Sequence, residues 1–181
     1  MFARTPRLLL RPGFPEDAPA LALAIADETI ARNLATVPWP YRVRDAEAFL
    51  AGPRDPVLPS LLVFARGDGA PQLVGACGLG RRPSGAVELG YWIARTAWGR
   101  GFATEAAEAL IAIARALRLN RLEGSHFVDN PASGRVLEKL GFQSTGIVAP
   151  RLSCARGTDA PSRLMRLSLG DAGSDSEALA A

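Results

Sequence analysis

Short apolar runs dominate the first half of the chain, and most of them predict strands rather than helices. They are bounded by turns that contain Gly and Pro, and they are too short for stable helices. The predicted strands are Arg7–Arg11, Leu61–Ala65, Gln72–Leu79 and Ala86–Ile93. Two segments between the first of these strands and the second have helical spacing instead, namely Pro15–Ile30 and Asp45–Ala51. The last three strands follow one another with short connections, which predicts an antiparallel meander.

Beyond residue 100 the spacing of the apolar residues changes from that of strands to that of a helix. Steps of three and four residues place one set of side chains on a single helical face: Phe102, Ala106, Leu110, Ile113 and Leu117. Acidic residues lie in the early turns of this segment and arginines near its end, which complements the helix dipole. This segment is therefore the clearest helix that the sequence predicts.

The remaining part of the domain combines one more helix with further strands. Asn130 as a cap, Pro131 at the first helical position and Gly141 just after the end bound a second helix. The strands predicted around it are Arg121–Val128, Phe142–Val148 and Arg163–Leu169. This order of elements predicts an α+β fold with a mixed sheet.

Composition narrows the class of protein without identifying a function. The chain has 181 residues, of which 48% are hydrophobic and 22% charged, and its formal net charge is +3. We expect one domain over residues 1–169 and a disordered tail over 170–181. Two cysteines without metal-ligand spacing predict neither a disulfide framework nor a metal site. Scattered arginines and short apolar runs favour a cytoplasmic protein that binds neither nucleic acid nor membranes.

A glycine-rich turn before the clearest helix is the most informative local feature. The segment Trp98–Thr104 contains Gly99 and Gly101, which allow backbone N–H groups to approach an anion closely. Arg100 and the helix N-terminus add positive charge, so the segment suits a pyrophosphate. It matches neither a Walker loop nor a dinucleotide fingerprint. The alternative is a turn that only starts the helix.

Several segments in collinear order resemble the GNAT acetyltransferase superfamily. Its phosphate-binding signature [Q/R]-x-x-G-x-[G/A] matches at Gly101 and Ala103, and Trp98 stands where Gln or Arg is usual. The branch that the chain resembles most is the RimJ/RimL type of ribosomal-protein N-terminal acetyltransferases. Further segments that carry this resemblance are Thr5–Arg11, Val37–Tyr41, Glu88–Ile93, Asn130–Ser133 and Val136–Phe142.

The resemblance implies an acetyl-CoA site in a wedge between two splayed parallel strands, Ala86–Ile93 and Arg121–Val128. In such a mostly antiparallel sheet with flanking helices, the pantetheine arm pairs with the edge of the first of these strands and the pyrophosphate binds the glycine-rich turn. No metal is implied. The expected acetyl-CoA contacts are Leu89, Tyr91, Trp92, Ile93, Trp98, Gly99, Arg100, Gly101, Phe102, Ala103, Thr104 and Asn130.

Acetyl transfer to an amine needs a proton acceptor and, for the departing thiolate, a proton donor. Glu88 lies in an otherwise apolar strand, and RimL-like enzymes carry a glutamate in the matching strand; it is either a base or an ordinary outward-facing residue. Leu137 occupies the position where many superfamily members have a tyrosine acid. Ser133, which matches the N-x-x-S of the RimL-like branch, is our substitute, although Ser is also common there for local hydrogen bonding.

These features predict transfer of an acetyl group to a primary amine, with a protein N-terminal α-amine favoured by the RimL-type resemblance. Trp39 and Tyr41 are the candidate walls of the acceptor pocket, and a homodimer is compatible with this interpretation. Two alternatives stay open: acetylation of a small-molecule amine, and a non-catalytic CoA-binding or ribosome-associated module of the same fold. The absence of a tyrosine at position 137 favours the second alternative.

Overall fold

The computed structural model describes residues 1–170, in which eight strands form one mixed sheet in the order β1-β2-β3-β4-β5-β6-β8-β7. Of the predicted tail, residues 171–181 lie outside the described part. The strands are β1 (Ala3–Arg4), β2 (Leu8–Arg11), β3 (Ser60–Ala65), β4 (Gln72–Arg81), β5 (Val87–Ile93), β6 (Arg121–Phe127), β7 (Gln143–Ser153) and β8 (Thr158–Ser168). The helices are α1 (Ala18–Ile25), α2 (Glu28–Ala31), α3 (Val43–Ala51), α4 (Phe102–Ala116) and α5 (Pro131–Lys139).

The predicted meander is confirmed, because β3, β4 and β5 pair antiparallel in succession. From Leu61 onward strand β3 is apolar, since both of its faces are covered. Leu61 and Val63 pack into the core beneath α4, whereas Leu62 and Phe64 pack into a second core beneath α1 and α3. The sheet is thus covered on both faces by helices.

Helix α4 packs the predicted apolar face against the sheet. Phe102, Ala106 and Leu110 are buried in the main core, and Ile113 and Leu117 are partly buried beside it. The predicted boundaries of α5 are confirmed as well. The Asn130 side chain accepts a hydrogen bond from the first turn, Pro131 begins the helix, and Gly141 follows it with a φ of 88°.

The segment Pro15–Ile30 differs from its prediction because it is interrupted. A 3-10 turn at Pro15–Asp17 precedes α1, which ends at Ile25, and α2 begins only at Glu28. Between the two helices Asp27 is extended, with φ −144° and ψ 122°, and its carboxylate accepts a hydrogen bond from the Thr29 amide. Aspartate is less favourable inside a helix than at an N-cap position. Asp27 therefore favours the end of α1 and the start of α2.

The last two strands are longer than the sequence predicted. Strands β7 and β8 form a hairpin whose pairing continues from Val148↔Arg163 to Ser153↔Thr158. Pro150 and Pro161 face each other within this ladder. Proline usually marks a strand end or an edge, yet both strands continue through a proline here. The extension brings Arg151 into the sheet.

Strands β5 and β6 are the only parallel neighbours in the described sheet, and they pair at a single position, Glu88↔Glu123. Beyond it the strands diverge toward the N-termini of α4 and α5. A gap between two strands leaves backbone groups without a partner from the neighbouring strand. The fold therefore contains the expected wedge between splayed parallel strands.

Burial of α4 predicts a large loss of stability for Leu110→Ala. Leu110 is 0% exposed, and removing a buried Leu side chain costs about 3 kcal/mol. The matched control is Leu23→Ala on α1, because Leu23 is 81% exposed. Urea unfolding should show a much larger fall in the free energy of unfolding for the α4 variant, and equal effects of the two variants would contradict the packing of α4.

Candidate active site

A cavity of about 1000 Å³ occupies the wedge and continues to both faces of the sheet. It contains most of the residues that the sequence assigned to donor binding and catalysis. The predicted residues that line it are Glu88, Leu89, Tyr91, Trp92, Ile93, Trp98, Gly99, Gly101, Phe102, Ala103, Thr104, Asn130 and Ser133. Residues far apart in sequence are thus brought to one site.

The glycine-rich turn forms one end of the cavity. Gly99 and Gly101 have φ values of 73° and 78°, a conformation that only glycine adopts without strain. Gly101 directly precedes α4, so the turn presents the N-terminus of a long helix to the cavity. A cradle of this kind, made of backbone N–H groups at a helix N-terminus, suits a phosphate group.

Two aromatic residues of this end are held by specific contacts. The indole N–H of Trp98 donates to the Ile93 carbonyl at 2.7 Å, which ties the turn to the end of β5. Phe102 is buried, and the guanidinium of Arg100 stacks on its ring at 4.6 Å from the centroid. Arg100 does not line the cavity. Its side chain packs on Phe102 instead, whereas Gly99 and Gly101 of the same turn line the cavity.

Helix α5 contributes two basic side chains to the lining of the cavity. Arg135 and Lys139 both line it, one helical turn apart, and neither was singled out by the sequence. Their spacing of four residues, which places both side chains on one face of α5, was the sequence signal that could have identified them. They make the cavity end near α5 suitable for further anionic groups.

Strand β5 sends alternate side chains to opposite faces of the sheet. Leu89 and Tyr91 belong to the core beneath α4, whereas Trp92 packs against the core beneath α1 and α3. Glu88 has the same orientation as Trp92, since strand residues alternate with a period of two. The cavity therefore has a face with Tyr91 and an opposite face with Glu88.

Glu88 lies in a network of charged and polar groups at the narrow end of the wedge. Arg151 donates to both of its carboxylate oxygens, at 2.6 and 3.0 Å, and the Ser125 hydroxyl donates at 2.6 Å. Arg82 lies 3.6 Å from the same carboxylate and 3.7 Å from that of Glu123. The arginines offset the repulsion between two glutamates at directly opposed positions.

This network sets the proton affinity of Glu88. Burial alone would raise its pKa, but the hydrogen bonds and charge of Arg151, with the Ser125 hydroxyl and the Arg82 charge, outweigh burial and hold the pKa below its usual value. Glu88 is therefore ionised at neutral pH. It can accept a proton, although only as a weak base.

Ser133 and Tyr91 form a pair of hydroxyl groups on the opposite face. The Tyr91 hydroxyl donates to the Ser133 carbonyl at 3.1 Å and lies 3.0 Å from the Ser133 hydroxyl. Burial raises the pKa of Tyr91 to about 12, so this phenol stays protonated near neutral pH. Leu137 of α5 is buried in the core. The phenol next to Ser133 is that of Tyr91 on β5. Asn130 accepts a hydrogen bond from the Ser133 amide and caps α5.

His126 of β6 also lines the cavity. Its Nδ1 lies 2.9 Å from the Phe127 carbonyl, which can only accept, so Nδ1 carries a hydrogen. A Cβ on Gly134 would lie 2.9 Å from Nε2 of this ring. The glycine therefore makes room for the imidazole against α5.

The expected acceptor wall, Trp39 and Tyr41, is not brought to the cavity, since neither residue lines it. Tyr41 packs against the core beneath α1 and α3, where burial raises its pKa to about 12. The wall on this side is formed by residues of α2, the following loop and α3: Thr29, Ile30, Asn33, Leu34, Ala35, Thr36, Val37 and Phe49. The interruption before α2, which the sequence prediction missed, positions this wall.

Residues 1–170 contain neither a cluster of metal-ligating side chains nor a helix that could span a membrane. No three His, Cys, Asp or Glu side chains are grouped there as a metal site would require. None of the helices in this part of the chain is long and apolar enough to cross a bilayer.

Comparison with known proteins agrees with this geometry. A GNAT-family acetyltransferase structure from Bacillus anthracis matches with a TM-score of 0.78 at 20% identity, covering 93% of this chain and 99% of the other. RimL, a ribosomal L7/L12 alpha-N-protein acetyltransferase in complex with coenzyme A, matches with a TM-score of 0.77 at 18% identity, covering 93% and 98%. At these identities the matches show a shared fold.

Sequence comparison identifies the family of the protein. The uncharacterized N-acetyltransferase p20 from Bacillus licheniformis is 36% identical over 80 residues, which cover 42% of this chain and 45% of p20. The chain therefore spans less than half the length of this curated relative. The family model described as an acetyltransferase (GNAT) domain matches residues 7–143, most of the chain. The protein belongs to the GNAT acetyltransferase family.

Proposed function

We propose that this protein transfers the acetyl group of acetyl-CoA to a primary amine, and that the amine is the α-amino group of a peptide or protein. The observation that carries the proposal is the continuous wedge cavity, which joins the glycine-rich turn at one end to Glu88 at the other. The family membership supports the acetyl transfer, and the arrangement of the wedge supports the roles given below to individual residues.

The residues of the wedge fit acetyl-CoA in size and chemistry. The turn from Trp98 to Thr104 binds the diphosphate through backbone N–H groups, and Arg135 and Lys139 attract the remaining phosphate charge. The backbone edge of Leu89–Trp92, which β6 leaves unpaired beyond Glu88, accepts the amide groups of the pantetheine arm as an added strand would. A backbone N–H near Tyr91 stabilises the oxyanion. Acetyl-CoA supplies the acetyl group as a thioester.

Glu88 accepts the amine proton, directly or through a water molecule. Its carboxylate is ionised at neutral pH. Glu88 lies at the narrow end of the wedge, where the acetyl donor and the acceptor amine must meet. Because Arg151 and Ser125 occupy both oxygens, they hold the carboxylate in one orientation. Orientation of this kind improves proton transfer when the acceptor amine is already weakly basic.

Ser133 donates a proton to the departing thiolate, with Tyr91 as its hydrogen-bonded neighbour. The two hydroxyls lie on the face of the wedge opposite Glu88, so base and acid approach the thioester from different sides. The raised pKa of Tyr91 keeps its proton available at neutral pH. The pair supplies the hydroxyl chemistry that Leu137 cannot.

The weak basicity of Glu88 favours an α-amine over a lysine side chain as the acceptor. An α-amino group has a reference pKa of about 7.7–8.0, whereas that of lysine is about 10.4. At pH 7.5 roughly a third of α-amines are neutral, against about one lysine in a thousand. A carboxylate with a lowered pKa can act as the base for an α-amine but not for a lysine side chain. RimL, by its name an alpha-N-protein acetyltransferase, shares the fold, and this supports the same choice.

The acceptor enters the cavity past the wall of residues 29–37. Thr29, Asn33 and Thr36 supply polar groups there, and Phe49 supplies an apolar surface. The hydroxyl and amide groups of this wall can form hydrogen bonds with the peptide N–H and C=O groups of an extended chain end. The wall therefore fits a peptide N-terminus.

Gly99→Val should weaken acetyl-CoA binding at least tenfold in calorimetry. A β-branched side chain at φ 73° distorts the turn that binds the diphosphate. The matched control is Gly85→Val in the β4–β5 turn, where φ is 80° and, as at Gly99, an added Cβ meets no atom within 4 Å. Both variants bear the same backbone strain. Unchanged affinity in a folded Gly99→Val protein would contradict the diphosphate assignment.

Glu88→Gln should lower kcat roughly 10²–10⁴-fold, since the amide keeps the shape of the carboxylate but cannot accept the amine proton. Acetyl-CoA affinity should change little, because the turn at 98–104 is untouched. Glu138→Gln on α5, an exposed residue, is the control for loss of one negative charge. Wild-type turnover of the Glu88 variant across pH 6–9 would reduce Glu88 to a structural residue.

A pair of peptides tests the acceptor: one with a free N-terminus and no lysine, the other N-terminally blocked with an internal lysine. The first should be acetylated much faster at pH 7.5, as followed by mass spectrometry. Its kcat/KM should rise with pH and level off near the α-amine pKa of about 7.7–8.0, because Glu88 is ionised throughout this range.

Faster acetylation of the blocked peptide would overturn the choice of an α-amine. Reaction with neither peptide would move the proposal to small-molecule amines. Acetyl-CoA binding without turnover on any amine would favour the non-catalytic CoA-binding module.

A further inference from the structure

A cluster of side chains behind the glycine-rich turn connects it to the start of the chain. Glu105, in the first turn of α4, accepts hydrogen bonds from the Thr5 hydroxyl at 2.6 Å, the Arg7 amide at 2.9 Å and the Arg7 Nε at 2.7 Å. Burial alone would raise the pKa of Glu105, but these hydrogen bonds and the Arg7 charge outweigh it and lower the pKa. Glu105 is therefore ionised and held by Arg7 and Thr5.

Arg7 also contacts the turn itself. Its Nη1 donates to the Arg100 carbonyl at 2.8 Å, and its guanidinium lies 5.0 Å from the centroid of the Phe102 ring. An added Cβ on Gly101 would lie 3.4 Å from Nη2 of Arg7. Arg7 is not among the residues that line the wedge cavity, whereas Gly99 and Gly101 are. It therefore supports the turn from behind.

The hydrogen bond to the Arg100 carbonyl has a consequence for the amide of the next residue. The carbonyl of Arg100 and the N–H of Gly101 belong to one planar, trans peptide group, in which they point in opposite directions. When Arg7 draws the carbonyl toward itself, the Gly101 N–H is directed away from Arg7, toward the cavity. This N–H is one of those available to an anion at the start of α4.

We propose that Arg7 is a positioning residue for donor binding: it orients the Arg100–Gly101 peptide so that the Gly101 N–H faces the diphosphate of acetyl-CoA. The proposal rests on the proposed function, which assigns the diphosphate to this turn. Glu105 in turn holds Arg7, and Thr5 completes the hydrogen bonds of Glu105. The cluster links residues that lie between 93 and 100 positions apart in the chain.

The charge of Arg7 does not explain this role by itself. Glu105 lies 2.7 Å from the Arg7 guanidinium and neutralises it, so the pair adds little net charge near the anion site. Removal of Arg7 has two separable effects: it frees the Arg100 carbonyl, and it leaves the Glu105 carboxylate without its partner near the helix N-terminus. Paired substitutions can separate the orienting effect from the electrostatic one.

The experiment compares two donors, acetyl-CoA and S-acetylpantetheine, which has no diphosphate. Arg7→Gln and Arg7→Lys should each lower kcat/KM for acetyl-CoA about 3–10-fold, mainly by raising KM, with a much smaller change for S-acetylpantetheine. Lysine keeps the charge but cannot reach Glu105 and the Arg100 carbonyl together. Calorimetry with acetyl-CoA should show the same loss of affinity. The control is Arg4→Gln on β1, which removes one positive charge from an exposed residue nearby.

The double variant Arg7→Gln/Glu105→Gln decides between the two effects. If orientation of the peptide group is the cause, acetyl-CoA affinity stays low in the double variant, because the carbonyl still lacks its donor. Full recovery of affinity in the double variant, wild-type affinity of Arg7→Lys, or equal losses with both donors would overturn the proposal. Wild-type protein that is folded but binds no acetyl-CoA would overturn the proposed function itself, which separates the two failures.

Discussion

The site depends on the point where β5 and β6 stop pairing. These parallel strands share only the position Glu88↔Glu123 before they separate. Two glutamates at directly opposed positions repel each other, and Arg82, which lies within 4 Å of both carboxylates, offsets this repulsion. The strands can therefore meet at this point and diverge beyond it. The cavity, the unpaired edge of β5 and the approach to the helix N-termini follow from this one junction.

The period of two along β5 separates the chemistry of the site into two faces. Glu88 lies with the arginine network on one face, and Tyr91 lies with Ser133 on the other. A residue inserted into β5 would exchange these faces, since every following side chain would change sides. The strand thus keeps a proton acceptor and a pair of hydroxyls on opposite sides of one backbone. This separation is what acid and base roles in a transfer reaction need.

Arginines in this protein act mainly by orienting acidic groups and backbone carbonyls. Arg151 holds Glu88, and Arg7 holds both Glu105 and the Arg100 carbonyl. In each case a fork of donors binds two groups at once, which a lysine could not do. The cost of this arrangement is a lowered pKa of Glu88, which makes its carboxylate a weaker proton acceptor.

The sequence by itself determined the elements whose signals are local. The spacing from Phe102 to Leu117, the Asn130 cap and the glycines of the turn at 98–101 depend on neighbouring residues only. They therefore predicted α4, the start of α5 and a backbone turn at the N-terminus of α4 that suits an anion. Tertiary structure decided the partners of these elements. Arg151 meets Glu88 across 63 positions and Arg7 meets Glu105 across 98, while Trp39 and Tyr41 do not line the cavity. Such contacts arise from strand register and helix packing, which no local spacing records.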